Sequence, residues 1–347
     1  MVDRIRAARE AKGWSQRELS ERAGVSRQLL GAVEAGRHVP NVRAALALAS
    51  ALDVPVEHLF GDGPETRPGS APVAVVDGTP LPEGSPVVVA RVGDATVLAP
   101  CRHWLANGEV WAVPDGAVAG GGVAMLEQAA TGGLVLAGCD PAMGILGGLV
   151  ERRSAHRVVS VQASTARSLA ALAAGRVHGV VVHGPDGALA GSPVPVRRWR
   201  LGGWRVGLAS GRAGGVPSLD ELSDRRLRVV QRDPGAGSQQ ALHRALAGLG
   251  ADQALPGPVA EGHLDVARLV AAGAPAGVTM EAAARSFGLG FRPLEDHAVE
   301  LWLDARWVGL PAAVALVEVL ASPAFRSRVD LIGGYDLAGC GSERRAS

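Results

Sequence analysis

Apolar positions in residues 14–37, WSQRELSERAGVSRQLLGAVEAGR, recur at helical spacing in two short runs hinged at Ala23-Gly24-Val25. Ser15 with Glu18 three residues later has the spacing of a capping box, and Leu19 and Ala23 then share one face. Gly24 can take the left-handed conformation that ends a helix. Ser26 caps the second run, in which Leu30 and Val33 point inward, Arg27 and Gln28 point away, and Gly36 is the stop. This pattern predicts a helix-turn-helix whose second helix enters the DNA major groove. Gln28 has the chemistry to pair with adenine and Arg27 with guanine. Gln16 and Arg17 are expected near the phosphate backbone, and Ser26 and Arg37 complete the DNA-facing set.

Beyond residue 61 the pattern changes. Residues 62–72, within GDGPETRPGSAP, have no apolar period and read as a linker. Residues 73–133 carry short β-branched runs at 73–76, 87–92 and 96–98, punctuated by Gly and Pro, which predict strands in a β-rich connecting segment. The AGGG run at 119–122 is expected to be a second joint. From residue 134 strands alternate with helices: LVLAGCD runs into Pro141 and an apolar helix, RVVSVQAS into Ser164-Thr165 and a helix, and VHGVVVHG is a further strand. LRVVQRDPGAGS repeats the step, with a helix from Gln239 to Leu249. This order predicts an α/β domain over 134–340 with a mostly parallel sheet, followed by a tail at 341–347.

Composition narrows the class. At 347 residues and 47% hydrophobic content the chain can hold two or three domains with a sizeable core. A formal net charge of +1 excludes a chain that binds polyanions along its whole length, and residues 1–60 hold nine basic against seven acidic side chains. DNA affinity must therefore be local, carried by the motif. No apolar run spans a membrane and the first residues are charged, so the expectation is a cytoplasmic protein with no membrane partner. The three cysteines show no CxxC spacing, which argues against a disulfide framework or a structural zinc site. Cys139 ends a buried strand and reads as a core residue. His178 and His183 fall on opposite strand faces, and His103, His156, His243 and His263 have no close ligand spacing, so no metal site is expected.

Ser15-Gln16, Leu19, Ala23-Gly24-Val25-Ser26, Leu30, Val33-Glu34 and Gly36, continued by Pro40, Leu46-Ala47, Ala51-Leu52-Asp53-Val54 and Leu59-Phe60, resemble the XRE family of helix-turn-helix domains over about sixty residues. The resemblance implies a homodimer on a two-fold symmetric operator. Over 134–340, the order GCDP, ST…ALAAG…H, SLDEL…LRVVQRDPGAGS, VAAGAPAG, GLGFRPL and SPAFR…GGYDLAGCG resembles the periplasmic-binding-protein-like sensor domain fused to bacterial regulators and to molybdenum-cofactor enzymes. That resemblance implies a multidomain chain: an all-α helix-turn-helix domain at 1–61 and a two-lobed α/β domain of the type 2 periplasmic-binding-protein-like class. It also implies a small anionic ligand in the cleft, molybdate or another oxyanion, or a molybdenum-cofactor-linked metabolite, with no resident cofactor.

Candidate ligand contacts are Asp140, Ser164, Thr165, Asp233, Gly235, Gly237, Ser238 and Thr279, because hydroxyls and helix-terminal amides solvate an ionised oxyanion without adding charge. Ser164, Thr165 and Asp140 have an alternative reading as helix caps. The chain departs from the family where Gly235-Ala236-Gly237-Ser238-Gln239 lacks an Arg and a hydroxyl, and at Ala274-Pro275-Ala276-Gly277; both stretches are expected in loops. No catalytic constellation is present, so the expectation is a regulator and not an enzyme. A ligand-independent regulator with a degenerate sensor used for dimerisation is the alternative, and a molybdenum-cofactor-related enzyme a weaker one.

Overall fold

The computed structural model describes residues 2–54, 56–60, 73–105, 108–127, 129–186, 189, 191–211, 215–224, 227–250 and 255–344. The chain divides into two compact units, Met1–Pro68 and Gly69–Ser347. The linker expected at 62–72 lies outside the described residues.

The first unit is helical: α1 (Val2–Ala11), α2 (Gln16–Ala23), α3 (Arg27–Glu34), α4 (Val42–Leu52) and α5 (Val56–Phe60). Local chemistry sets its boundaries. Ser15 accepts from Glu18 N while the Glu18 side chain accepts from Ser15 N, a full capping box, and Gly24 closes α2 at φ 64°. Ser26 caps α3 by accepting from Leu29 N, and Asn41 caps α4 by accepting from Ala44 N. Ile5, Leu19, Leu30, Leu48, Leu52 and Leu59 are fully buried together.

The second unit opens with a five-stranded sheet in the order β1-β3-β2-β6-β7, from β1 (Val73–Val75), β2 (Pro86–Val92), β3 (Ala95–Pro100), β6 (Gly116–Ala119) and β7 (Gly122–Met125). A separate hairpin pairs β4 (Arg102–Leu105) with β5 (Gly108–Trp111). The AGGG run is not a joint. Gly120 and Gly121, at φ 56° and 76°, make the two-residue turn of the β6–β7 hairpin, where a left-handed backbone matches strand twist. Nor is 73–133 merely a connection. Val76, Val88, Ala90 and Val97 share one core with Val135, Val161, Ala171 and Val180 of the following domain. Arg157 clamps the two by donating to Asp115 at 2.6 Å and to Ala130 O at 2.6 Å.

The main sheet runs β13-β12-β14-β11-β15-β10-β8-β9. Its strands are β8 (Leu134–Gly138), β9 (Val158–Gln162), β10 (Gly179–Pro185), β11 (Val196–Ser210), β12 (Val229–Arg232), β13 (Val259–Ala260), β14 (Ala276–Met280) and β15 (Gly290–Asp304); the short β16 (Tyr335–Asp336) and β17 (Glu343–Arg344) add to β11. The end of the chain is thus strand-paired through Arg344, where a tail was expected. Around the sheet lie α6 (Ala142–Ser154), α7 (Thr165–Ala173), α8 (Leu219–Asp224), α9 (Gly237–Gly248), α10 (His263–Ala271), α11 (Glu281–Ser286), α12 (Pro311–Leu320) and α13 (Pro323–Ile332).

Two fifteen-residue strands, β11 and β15, pair antiparallel along their length with irregularities at Arg200/Gly202 and Val206/Gly207. β10 pairs with the His297–Leu303 part of β15, while β14 pairs with the Val206–Ala209 part of β11. These two strands therefore join a lobe built on β8, β9 and β10 to a lobe built on β12, β13 and β14. Each departure begins in the loop expected for it, at Gly235-Ala236 and Ala274-Pro275, and runs on into a regular element. Gly237 and Ser238 open α9, and Gly277 sits in β14, where a Cβ would come within 2.5 Å of Val266 and 2.9 Å of Val270. Only glycine lets α10 pack that closely on the strand.

Candidate functional site

In the first unit, Arg27 and Gln28 stand exposed on the first turn of α3, and Arg37 is exposed just beyond it. Arg17 is exposed on α2 and pairs with Glu21 at 2.9 Å. Two of the expected DNA contacts have internal roles. Ser26 uses its hydroxyl as the α3 cap, and Gln16 donates to Glu34 Oε2 at 2.7 Å. Glu34 is fully buried and also accepts from Arg9 Nε at 2.7 Å and Nη2 at 3.2 Å. Burial alone raises the Glu34 pKa, but donation from Arg9 and Gln16 outweighs it and holds the carboxyl below its ordinary value. The pair orients α3 against α1 and α2 and so fixes the angle at which Arg27 and Gln28 are presented.

In the second unit, the ends of strands from both lobes converge on one buried cluster. β8 delivers Cys139 and Asp140, β10 His183, β11 Trp204, β12 Arg232, β14 Thr279 and β15 His297, while His263 is the first residue of α10. All are less than 6% exposed. Cys139 Sγ lies 3.1 Å from His183 Nε2 and 3.7 Å from His263 Nε2, and His183 Nδ1 lies 2.9 Å from His297 Nδ1. The Trp204 ring packs against all three imidazoles at centroid distances of 4.5, 5.2 and 5.4 Å.

Electrostatics here follow burial. Desolvation, then the neighbouring His297 and Arg232, push the His183 pKa well below its ordinary value, and desolvation followed by Arg232 does the same to His263. Both rings are neutral. Burial pushes the Cys139 thiol up to about 11. Arg232, 2% exposed, donates from Nη2 to Glu261 O at 3.1 Å, but its Nε and Nη1 are buried without a hydrogen-bond partner. The fully buried Ser238 hydroxyl at the start of α9 also has none.

The expected ligand residues divide. Asp140 is spent internally: Ala142 N and Tyr335 OH donate to Oδ1 at 2.8 and 2.7 Å, and Trp204 Nε1 donates to Oδ2 at 2.8 Å. Its alternative as a helix cap is what the geometry shows, and it docks the C-terminal Tyr335 as well. Ser164 caps α7 by accepting from Arg167 N at 3.4 Å, and reaches across to Asp233 at 3.5 Å. Asp233 closes the glycine turn by accepting from Gly235 N at 2.7 Å. Thr165 touches the His183 backbone, and Thr279 donates to His263 O at 2.9 Å. A Cβ at Gly235 would lie 2.9 Å from Ala166, and one at Gly237 3.0 Å from the His183 ring. Both glycines therefore permit direct contact of one lobe with the other. Ser238 alone of the eight keeps a buried side-chain hydroxyl without a hydrogen-bond partner.

Sequence spacing missed Arg232, Cys139, His183, His263 and His297, because they lie on five separate elements and meet only in space. One signal was available. Arg232 interrupts the apolar strand VVQR immediately before the glycine turn, and in place of the family's Arg at position 239 the chain has Gln239, whose Oε1 accepts from Arg232 N at 2.9 Å. Two cavities border the cluster: one of about 360 Å3 reaches His183, Gly235, Gly237 and Arg244, and one of about 620 Å3 reaches Trp204, His297 and Tyr335.

A helix-turn-helix unit and a two-lobed α/β domain with a polar cluster between its lobes define a DNA-binding regulator with a ligand-binding-type domain. Residues 147–321 match the family described as PBP superfamily domain, and residues 5–59 match the family described as Helix-turn-helix. The chain belongs to the PBP superfamily domain family, with a helix-turn-helix domain at its N-terminal side. It is a transcriptional regulator and not an enzyme. Over 60 residues, 17% of this chain and 91% of the relative, it is 35% identical to the uncharacterized HTH-type transcriptional regulator YgzD of Bacillus subtilis (strain 168). An ABC-type phosphate transport receptor from Vibrio cholerae aligns at 13% identity and a TM-score of 0.41, covering 58% of this chain and 99% of that one. The OxyR2 regulatory domain from Vibrio vulnificus, in a cysteine-to-serine mutant form, aligns at 14% identity and a TM-score of 0.40, covering 56% and 96%.

Proposed function

We propose that this chain is a one-component cytoplasmic regulator whose cleft binds a small oxyanion, of which molybdate or a molybdenum-cofactor-linked metabolite is the leading class. It acts as a homodimer on a two-fold symmetric operator, and closure of the lobes on the ligand changes how the paired heads are presented. The observation that carries this reading is Arg232. A buried guanidinium with two donor groups unmade is costly, on the order of several kcal/mol for an uncompensated ion, and an oxyanion beside it supplies the missing acceptors.

The test is thermal unfolding of the full chain with molybdate, tungstate, sulfate or phosphate. A ligand at a hundred times its Kd stabilises the folded state by about 2.7 kcal/mol. A rise in Tm is expected with one of these anions and is expected to vanish in Arg232→Gln. The contact of Gly235 and Gly237 with the opposite lobe favours the second reading, a closed domain that serves only dimerisation; absence of a shift with all four anions supports that reading and removes the inorganic oxyanion as the ligand of the metal-free protein.

Operator recognition is assigned to α3. Gln28→Ala is expected to weaken binding to the operator by about 1–3 kcal/mol while leaving random-sequence DNA almost unaffected. Gel-shift or anisotropy titrations on both DNAs check this. Equal losses on both would remove Gln28 from base reading.

A further inference from the structure

We propose that Cys139, His183 and His263 form a three-ligand site for a divalent metal ion of the zinc class, with the fourth position open to an anion held by Arg232. The site itself rests on geometry alone; only the anion at its fourth position rests on the function proposed above.

The three ligand atoms lie within 4.8 Å of one another. Tetrahedral zinc with bonds of about 2.3 Å to sulfur and about 2.0–2.1 Å to nitrogen sets each S···N separation at ~3.6 Å. The observed 3.1 and 3.7 Å bracket that figure.

Proton placement makes the same point. His297 Nε2 lies 2.5 Å from Glu295 Oε1, and an acceptor-only carboxylate requires the N–H there. His297 Nδ1 is then an acceptor, and the His183 Nδ1–H donates to it at 2.9 Å. The His183 Nε2 lone pair is left aimed at Cys139. His263 Nδ1 faces the Thr279 hydroxyl oxygen at 3.4 Å; that hydroxyl's own proton goes to His263 O, so its oxygen is free to accept. With the proton on Nδ1, donated to that oxygen, the His263 Nε2 lone pair is also aimed at Cys139. Two lone pairs face one sulfur that carries a single proton, so one of them has no thiol donor. A metal ion accepts from both imidazoles and from the thiolate, and the thiol proton leaves to solvent on binding. Glu295, His297 and His183 then form a carboxylate–histidine–histidine chain behind the ion, the outer-shell support that fixes a ligand's tautomer.

Charge supplies the fourth ligand's class. A divalent ion, one thiolate, the Arg232 guanidinium and the adjacent Asp140 carboxylate leave a net positive charge in a buried site. An anion bound to the metal and to Arg232 offsets it. Thiolate and imidazole together favour zinc-class ions over magnesium or calcium.

The test uses reduced full-length protein in phosphate-free buffer titrated with Co2+ and then Zn2+. A thiolate-to-cobalt charge-transfer band is expected together with the intense visible bands of tetrahedral cobalt, saturating at one ion per chain and displaced by zinc. Cys139→Ser is expected to abolish the charge-transfer band, whereas Cys101→Ser and Cys340→Ser keep it. His297→Asn, which keeps all three ligands, is expected to weaken binding by about 10–100-fold. A folded protein without the band, or a band that survives Cys139→Ser, overturns the site. Should Cys139→Ser fail to fold, His263→Gln is decisive: unchanged cobalt spectrum and affinity overturn the site. Molybdate or phosphate added to the cobalt form is expected to shift the visible bands. Metal binding without that shift keeps the site and removes the anion. Anion stabilisation of metal-free protein, with no cobalt band, keeps the proposed function and removes the metal.

Discussion

Arg9→Ala is expected to destabilise the helix-turn-helix unit by about 3–5 kcal/mol, because it strips the partner from a carboxylate with no access to water. Glu34 is fully buried, and Arg9 supplies two of its three donors. A unit of this size has a total stability of only about 3–5 kcal/mol from its core, so the variant should be largely unfolded there and lose operator binding. Hydrogen exchange resolved by segment separates this from global unfolding: amides of α2 and α3 should lose protection while those of β8 and β10 keep it. Unchanged protection in α3 would show that Glu34 is accommodated without Arg9. The same pair predicts acid sensitivity. Because the folded Glu34 pKa is depressed, its contribution is fully present above the ordinary glutamate value of 4.5 and is lost as pH falls through the lower folded value. Glu34→Gln should flatten that acid limb.

Asp140→Ala is expected to be the most damaging single substitution in the cleft. Three buried donors, Ala142 N, Trp204 Nε1 and Tyr335 OH, lose their acceptor together, at about 1–3 kcal/mol each. Calorimetry should show the second unit melting about 5–15 °C lower. Asp140→Asn should recover little, since one of its two positions becomes a donor facing donors. Asp233→Ala is the comparison, because that side chain is 36% exposed and its main role is to hold the Gly235 amide. If the two substitutions cost the same, Asp140 does not organise the cleft. The loss at Asp140 also frees the Trp204 ring from its place against His183, His263 and His297, so ligand or metal binding should fall with it.

The helix-turn-helix was readable because every signal in it is local. Ser15 and Glu18, Gly24, Ser26 and the pair Leu30 and Val33 act within one or two helical turns, and the structure places each in the role its spacing implies. The strand and helix order from Leu134 to Gly248 was readable for the same reason, since buried parallel strands and helix caps have short-range signatures. The reading was weaker where a residue has two possible partners. Asp140 and Ser164 were open between ligand and cap; a cap needs only the next turn, and both residues make that bond. Gly120-Gly121 looks in sequence like any flexible joint, and only the pairing of β6 with β7 makes it a hairpin turn.

What the sequence determined by itself is the helices of the first unit, the strand and helix order from Leu134 to Gly248 save the long β11, the two kinds of domain and the exposed face of α3, because periodicity and capping are fixed over a few residues. What only the tertiary structure decided is the chemistry of the cleft. Cys139, His183, Arg232, His263 and His297 are separated by 30 or more residues each, and their meeting depends on the crossing of β11 and β15 between the lobes. No spacing rule connects them. Burial then makes these residues neutral imidazoles, a protonated thiol and a guanidinium with two unmet donors, and burial is a property of the packed lobes.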